Sequence, residues 1–490
     1  MHDAEEFPAP PTAPSTAQPT APAIPQQRGP SSPIVWYSDP AAYTGPATFG
    51  APIGEVPPVR RRRRGLLVGG ALTLVAALAI GAGVVYVVNR DPLAEKAVAA
   101  AVDAPAKVIP ATPFEAANAT LKAQADALLR GDEKGWLAAL DPGQSKLLTT
   151  YRSMFRSLRG LGVNHFTYDT SITAADKKKK DTVGVLAHVE YCFSSDKCPE
   201  EKYNQSDGPP TIKQELVFKS VKGRWLITGL TAKKSRDEQQ PTPWESGDLV
   251  IQQGKRVTLI GNRTERKYFK QVLPIAEKAA AVNDRFAGLV GNPQKKYRIY
   301  LAGAKQWKTW YGGITDKWVI GYAMPLSDSG SDVVLNIRQM SGSRQILEST
   351  IQHELGHVVT LSGAYRTGGR GDMWLEEGIA EYIGWYPKPA TASWRRSAVS
   401  SAMSGSKRPK TIAPRGLADN AGPDASDAFY GLGHFAADCM ARKYGQSALF
   451  TFVRLYLREN RDLDPAAREA FGRSFASVDK ACIAWIRDKA

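Results

Sequence analysis

Between Ile346 and Leu361 the chain reads as one buried helix with a polar centre, His353-Glu354-Leu355-Gly356-His357. Apolar residues at 347, 351, 355, 358 and 359 have helical spacing, and Ser362-Gly363 supplies a stop. Residues four apart on a helix lie one above the other, so His353 and His357 share a face. Glu354 is turned away from His353 by about 100°. A buried helix that carries two histidines and a glutamate needs a partner for them, because unpaired polar groups are costly to bury. A metal ion is such a partner. Only six histidines occur in the chain, which makes this spacing a strong signal.

A second segment supplies carboxylates. Trp374-Leu375-Glu376-Glu377-Gly378-Ile379-Ala380-Glu381-Tyr382 offers three candidates for a third ligand: Glu376, Glu377 and Glu381. Glu377 and Glu381 are four apart and share a helix face, whereas Glu376 points about 100° away. Two imidazoles, one carboxylate from a second helix and a water are how a catalytic zinc is held with one position open. The carboxylate beside the first histidine is then placed to take a proton from that water.

The two segments together resemble the gluzincin metallopeptidases of the aminopeptidase-N and thermolysin type, closest to the bacterial peptidase MA-like branch. The likeness extends over about residues 240 to 490 and includes Tyr430-Gly431-Leu432-Gly433-His434-Phe435 and Lys443-Tyr444-Gly445. It implies Zn2+ held by His353, His357 and Glu377, with Glu354 as general base and Glu381 orienting the first histidine. It also implies a downstream tyrosine or histidine that hydrogen-bonds the oxyanion, for which Tyr430 is the first candidate and His434 the second. Nineteen residues separate His357 from Glu377, one more than aminopeptidase-N-like members typically have. The turn-rich stretch 363 to 371 accommodates the extra residue.

At 490 residues the chain is too long for one core. Residues 1–59 are rich in Pro, Ala, Thr and Ser and read as a disordered cytoplasmic tail. Within 60–90, Arg60 to Arg64 precede the uncharged run Gly65 to Val88. That run would be about 36 Å long as a helix, enough for a single transmembrane span. The arginines place the N-terminus inside and the remainder outside the cell. Residues 91–111 read as a linker.

Residues 112–235 show two helices followed by alternating, β-branched stretches. This small α+β domain looks like the cone-shaped nuclear transport factor two-like fold. Residues 240–490 follow as a peptidase-like domain with strands near 297–302, 317–323 and 332–338, then helices. The resemblance implies that one of the last two strands is an edge that pairs with an extended peptide. The fold class expected is thus α+β, with one transmembrane helix, a small cone-like domain and a C-terminal metallopeptidase domain.

All four cysteines follow the basic run. Pairing Cys192 with Cys198 and Cys439 with Cys482 suits an oxidising exterior. The outer portion carries +14 of the net +16, which favours contact with anionic cell surfaces. No basic motif interleaved with aromatics points to nucleic acid. The expected function is a membrane-anchored, extracytoplasmic zinc peptidase acting on peptide or protein substrates. The competing expectation is a non-catalytic cell-surface scaffold with a peptidase-like fold.

Overall fold

A computed structural model describes residues 36–38, 112–173, 181–199, 208–232, 239–314, 319–364, 371–418 and 421–490. The short strand β1 (Trp36–Ser38) comes first, then helix α1 (Pro113–Arg130). Thr112 begins that helix with a capping box: its Oγ1 accepts from the Glu115 N–H, and the Glu115 carboxylate accepts from the Thr112 N–H at 2.7 Å. Gly131, at φ 77°, ends it in the left-handed conformation that glycine adopts without strain. Helices α2 (Glu133–Leu137) and α3 (Ser145–Leu161) follow. The strands β2 (Val163–Ile172), β3 (Thr182–Phe193), β4 (Thr211–Val221) and β5 (Arg224–Ala232) then pair in sequence as an antiparallel sheet.

The second part begins with β6 (Val250–Gln253), β7 (Val257–Gly261), the long helix α4 (Phe269–Val290), β8 (Tyr297–Ala302) and α5 (Ala304–Trp307). Strands β9 (Gly321–Leu326) and β10 (Gly330–Asn336) and the short α6 (Ile337–Met340) complete its sheet region. Seven helices follow: α7 (Arg344–Leu361), α8 (Met373–Trp385), α9 (Arg396–Ser404), α10 (Pro423–Tyr444), α11 (Gln446–Val453), α12 (Leu463–Phe471) and α13 (Phe475–Lys489). The larger sheet has the order β1-β9-β10-β8-β7-β6. Its central strands β7, β8 and β10 run parallel, and every residue of β8 is buried. Strands buried on both faces are the rule for parallel sheets.

Alternation along those strands divides the interior in two. Leu259, Ile299, Leu301, Val333 and Leu335 face a core shared with α4, α7, α8 and α10. Ile260, Tyr300, Tyr322 and Val334 face the opposite core, which contains Trp136, Tyr151, Phe166 and Val185 of the first part. The four-stranded sheet with its helices therefore packs on one face of the larger sheet, and the helices bearing the site pack on the other.

Two sequence expectations are corrected. The fold class included a single transmembrane helix. The described chain is an α+β molecule of thirteen α-helices and two sheets, and among the described residues no helix is long and apolar enough to cross a membrane. The run 65–88 that suggested one lies outside the described residues, as do residues 60–64 and the linker 91–111. The longest described helices are α4, which buries one side only, and α10, which is buried all round from Phe429 to Met440 but carries Asp424, Asp427, Asp438, Arg442 and Lys443. The second correction concerns the sheet edge. Strand β10 is interior, and β9 is bordered on its outer side by β1, with Ser38 opposite Gly321.

Both cysteine pairs, Cys192–Cys198 and Cys439–Cys482, are disulfide-bonded. The first closes a loop that presents Asp196 to Arg298 across the contact between the two parts. Arg298 also donates to Asp332 at 2.6 Å and lies over the Phe193 ring at 4.9 Å. Asp332 in turn accepts from Tyr311. Arg298, Asp196 and Asp332 are all buried. Removing one partner of a buried ion pair leaves the other uncompensated, at a cost of about 3–5 kcal/mol. Arg298→Met, which leaves both Asp196 and Asp332 without their cation, should therefore lower the unfolding free energy by at least about that amount, read as a shift in denaturant midpoint. A loss below about 1 kcal/mol, the range of an exposed pair, would contradict this account.

Candidate metal centre

Helix α7 is held at both ends by side chains. Ser343 Oγ accepts from the Ile346 N–H at 3.3 Å. At the other end Ser362 is the cap residue and Gly363, at φ 64°, follows it. Asn292 donates to the carbonyls of Val359 and Ser362 at 3.0 and 3.2 Å, and Arg458 donates to those of Thr360 and Ser362 at 3.2 and 2.9 Å. These bonds satisfy carbonyls that a helix end leaves open. Gln352 ties α7 to the end of α8 by donating to Ile383 O at 2.6 Å and Tyr386 O at 2.9 Å.

Helix α8 lies between α7 and α10 at close range. A Cβ on Gly378 would stand 2.6 Å from the Gly433 backbone, and one on Gly433 would stand 2.7 Å from the Trp374 carbonyl oxygen. The two helices thus touch backbone to backbone, which only glycine permits at both positions. This crossing sets how far α10 stands from Glu377, the residue just before Gly378.

His353 Nε2 and His357 Nε2 are 3.1 Å apart, and Glu377 Oε2 is 3.4 Å from each. Donors bound at about 2.0–2.1 Å in a tetrahedron lie about 3.3 Å from one another. The triangle therefore has the dimensions of three corners of such a tetrahedron. Its members are 3%, 0% and 2% exposed, and among the described residues they form the group that could hold a metal ion. Glu354 is not part of the triangle. It is fully buried and reaches the start of β9, where a Cβ on Gly321 would lie 2.9 Å from its Oε1.

Around the triangle the remaining candidates separate. Glu381 Oε1 is 3.3 Å from His353 Nδ1, and its Oε2 is 3.5 Å from Arg395 Nε. Burial would raise the Glu381 carboxyl, but Arg395 and His353 hold it down at about 2. Burial would lower His353, yet Glu377 and Glu381 outweigh it and push the imidazole up to about 10. Burial likewise works against the charge of Glu377, which His357 and His353 keep below the usual carboxylate range. Glu376 is buried elsewhere on α8.

Tyr430 and His434 stand one turn apart on α10, and neither belongs to the triangle. The Tyr430 ring lies 5.1 Å from the Arg395 guanidinium. His434 is fully buried, with its ring 6.5 Å from that of Trp385. Burial depresses it to about 4, against the nearby charges of Glu381 and Asp438, so it is neutral at ordinary pH. Arg395, Asp427 and the glycine crossing were not found from the sequence. Arg395 comes from an irregular segment before α9, and no periodicity marks it. Ser349, Gly384, Trp385 and Trp394 border a narrow crevice reaching His353 and Glu381. A groove of about 500 Å³ between α4, α7 and the end of α8 shares three of these residues but none of the donors.

No family model and no curated protein matches the chain. Among solved structures, an NTF-2-like protein of unknown function from Shewanella oneidensis MR-1 is similar at 16% identity. The likeness covers 24% of this chain and 97% of that one, with a TM-score of 0.18. A likeness at that score identifies neither fold nor function.

The raised His353 gives a pH test. Its proton stabilises the metal-free fold fully below its unfolded value of about 6.5, and that contribution is lost as pH rises through about 10. The thermal midpoint of chelator-treated protein should fall between these values, and His353→Ala should flatten that fall. The same slope in both proteins would contradict the assigned contacts of His353 with Glu377 and Glu381.

Proposed function

We propose that this chain is a zinc-dependent peptidase whose metal is held by His353, His357 and Glu377. The observation that carries the reading is the donor triangle of 3.1, 3.4 and 3.4 Å, with Glu354 beside it but outside it. Two imidazoles and one carboxylate suit zinc, and three protein ligands leave a fourth position open. Zinc in such a site lowers the pKa of its water toward about 7 and polarises a carbonyl.

The chain's own residues take the other roles. Glu354 takes the proton from the attacking water and passes it to the leaving amine. Glu381 accepts from His353 Nδ1–H and fixes the tautomer that leaves Nε2 free for the metal. Tyr430, which carries an O–H, is assigned to the oxyanion in preference to the enclosed His434. The two disulfides support an oxidising compartment for the activity. A scaffold protein would have no use for a buried glutamate set next to a metal triad, which is why the catalytic reading is preferred.

Ligand and base can be separated by substitution. Glu354→Gln should keep zinc near one ion per chain and lose about 10²- to 10⁴-fold in cleavage rate on a substrate found by peptide-library screening. Glu377→Gln should weaken zinc binding, because a charged ligand becomes a neutral one. Full activity in Glu354→Gln would exclude this mechanism and favour the scaffold.

A further inference from the structure

We infer that Arg395 is a positioning residue for the metal centre, acting through Glu381 on His353. The inference rests on the metal-binding reading above but not on peptidase activity. Glu381 uses one carboxylate oxygen on His353 Nδ1, at 3.3 Å. That contact alone leaves the carboxylate free to turn about its own axis and to carry the imidazole with it. Its second oxygen faces the Arg395 guanidinium in a buried ion pair, with Nε at 3.5 Å, which favours one setting of the carboxylate plane.

Arg395 can do this because its own side chain is held on several sides. It is 1% exposed. Its guanidinium pairs with Asp427 at the start of α10. It also lies 5.1 Å from the Tyr430 ring and 5.7 Å from the Trp394 ring. The backbone is anchored as well, since the Arg395 N–H donates to Ser393 Oγ at 3.2 Å. A planar guanidinium offers donors in two directions and stacks on aromatic faces. One cation thus ties a carboxylate on α8 to a carboxylate on α10, and the chain Asp427–Arg395–Glu381–His353 ends on a donor of the triangle. A lysine supplies the charge but neither the fork nor the stacking surface.

A purely structural arginine, present only to neutralise two buried carboxylates, would make a different prediction. Its loss would lower the stability of the metal-free protein and leave the zinc affinity of the folded protein unchanged. The test uses the full chain with Arg395→Met, Arg395→Lys and Asp427→Asn. Zinc affinity is measured by competition with a chelating dye, and the thermal midpoint of each metal-free protein is recorded alongside.

Loss of a partner behind a metal ligand typically weakens metal affinity about 10- to 100-fold, and Arg395→Met should fall in that range. Arg395→Lys should recover part of the thermal midpoint while its zinc affinity stays reduced. Asp427→Asn, which touches neither Glu381 nor His353, should weaken zinc by a smaller factor. If Arg395→Met does not fold, the other two variants decide the matter. Variants that bind zinc as tightly as the native chain, with only their midpoints lowered, would overturn the positioning role alone. A native chain that takes up no zinc would overturn the metal reading and this inference with it.

Discussion

The C-terminal half of the molecule is organised around a buried concentration of negative charge. Glu354, Glu376, Glu377, Glu381 and Asp427 are each 8% exposed or less. Carboxylates removed from water on this scale are tolerated only when cations and hydrogen bonds compensate them. Arg395 compensates Glu381 and Asp427. Glu377 has only the two imidazoles facing it in the triangle, and an imidazole supplies charge only when protonated. A divalent ion at the centre of the triangle would complete the compensation and replace the proton that His353 otherwise retains.

The rest of the fold keeps those groups together. Helix α8 is pressed between α7 and α10, with Gly356 against Ala380 on one side and Gly378 against Gly433 on the other. Helix α7 is fixed by Asn292 and Arg458, which lie far from it in sequence. Asn292 also accepts from Lys197, within the Cys192–Cys198 loop. A hydrogen-bonded route therefore runs from the disulfide loop of the first part to the end of α7, the helix that carries His353 and His357. The buried Arg298 pairs hold that loop in place. The first part thus contributes to holding α7 without supplying a donor.

Local patterns were legible in the sequence, and long-range ones were not. The spacing of His353 and His357 predicted their shared face, because helix geometry alone determines it. Helix α7, the strand at 297–302 and both cysteine pairings also followed from local pattern or short spacing, whereas the strand expected near 332–338 runs over 330–336, with Ile337 and Arg338 already in α6. Spacing could not choose among Glu376, Glu377 and Glu381, since each fits a helix. The fold brings Glu377 to the triangle and Glu381 to His353 Nδ1. Arg395 was missed because a lone arginine between helices carries no periodic signal. Its partners Glu381 and Asp427 lie 14 residues before and 32 after it. The uncharged run 65–88 had the length and flanking charge of a span, a pattern that resembles none of the described helices.

Zinc K-edge X-ray absorption on the zinc-loaded chain tests the central claim most directly. The account predicts one zinc per chain with nitrogen and oxygen donors at about 2.0–2.1 Å, an imidazole signature from two histidines, and no sulfur. Zinc coordinated by sulfur at about 2.3 Å, or by oxygen alone without imidazole, would contradict it.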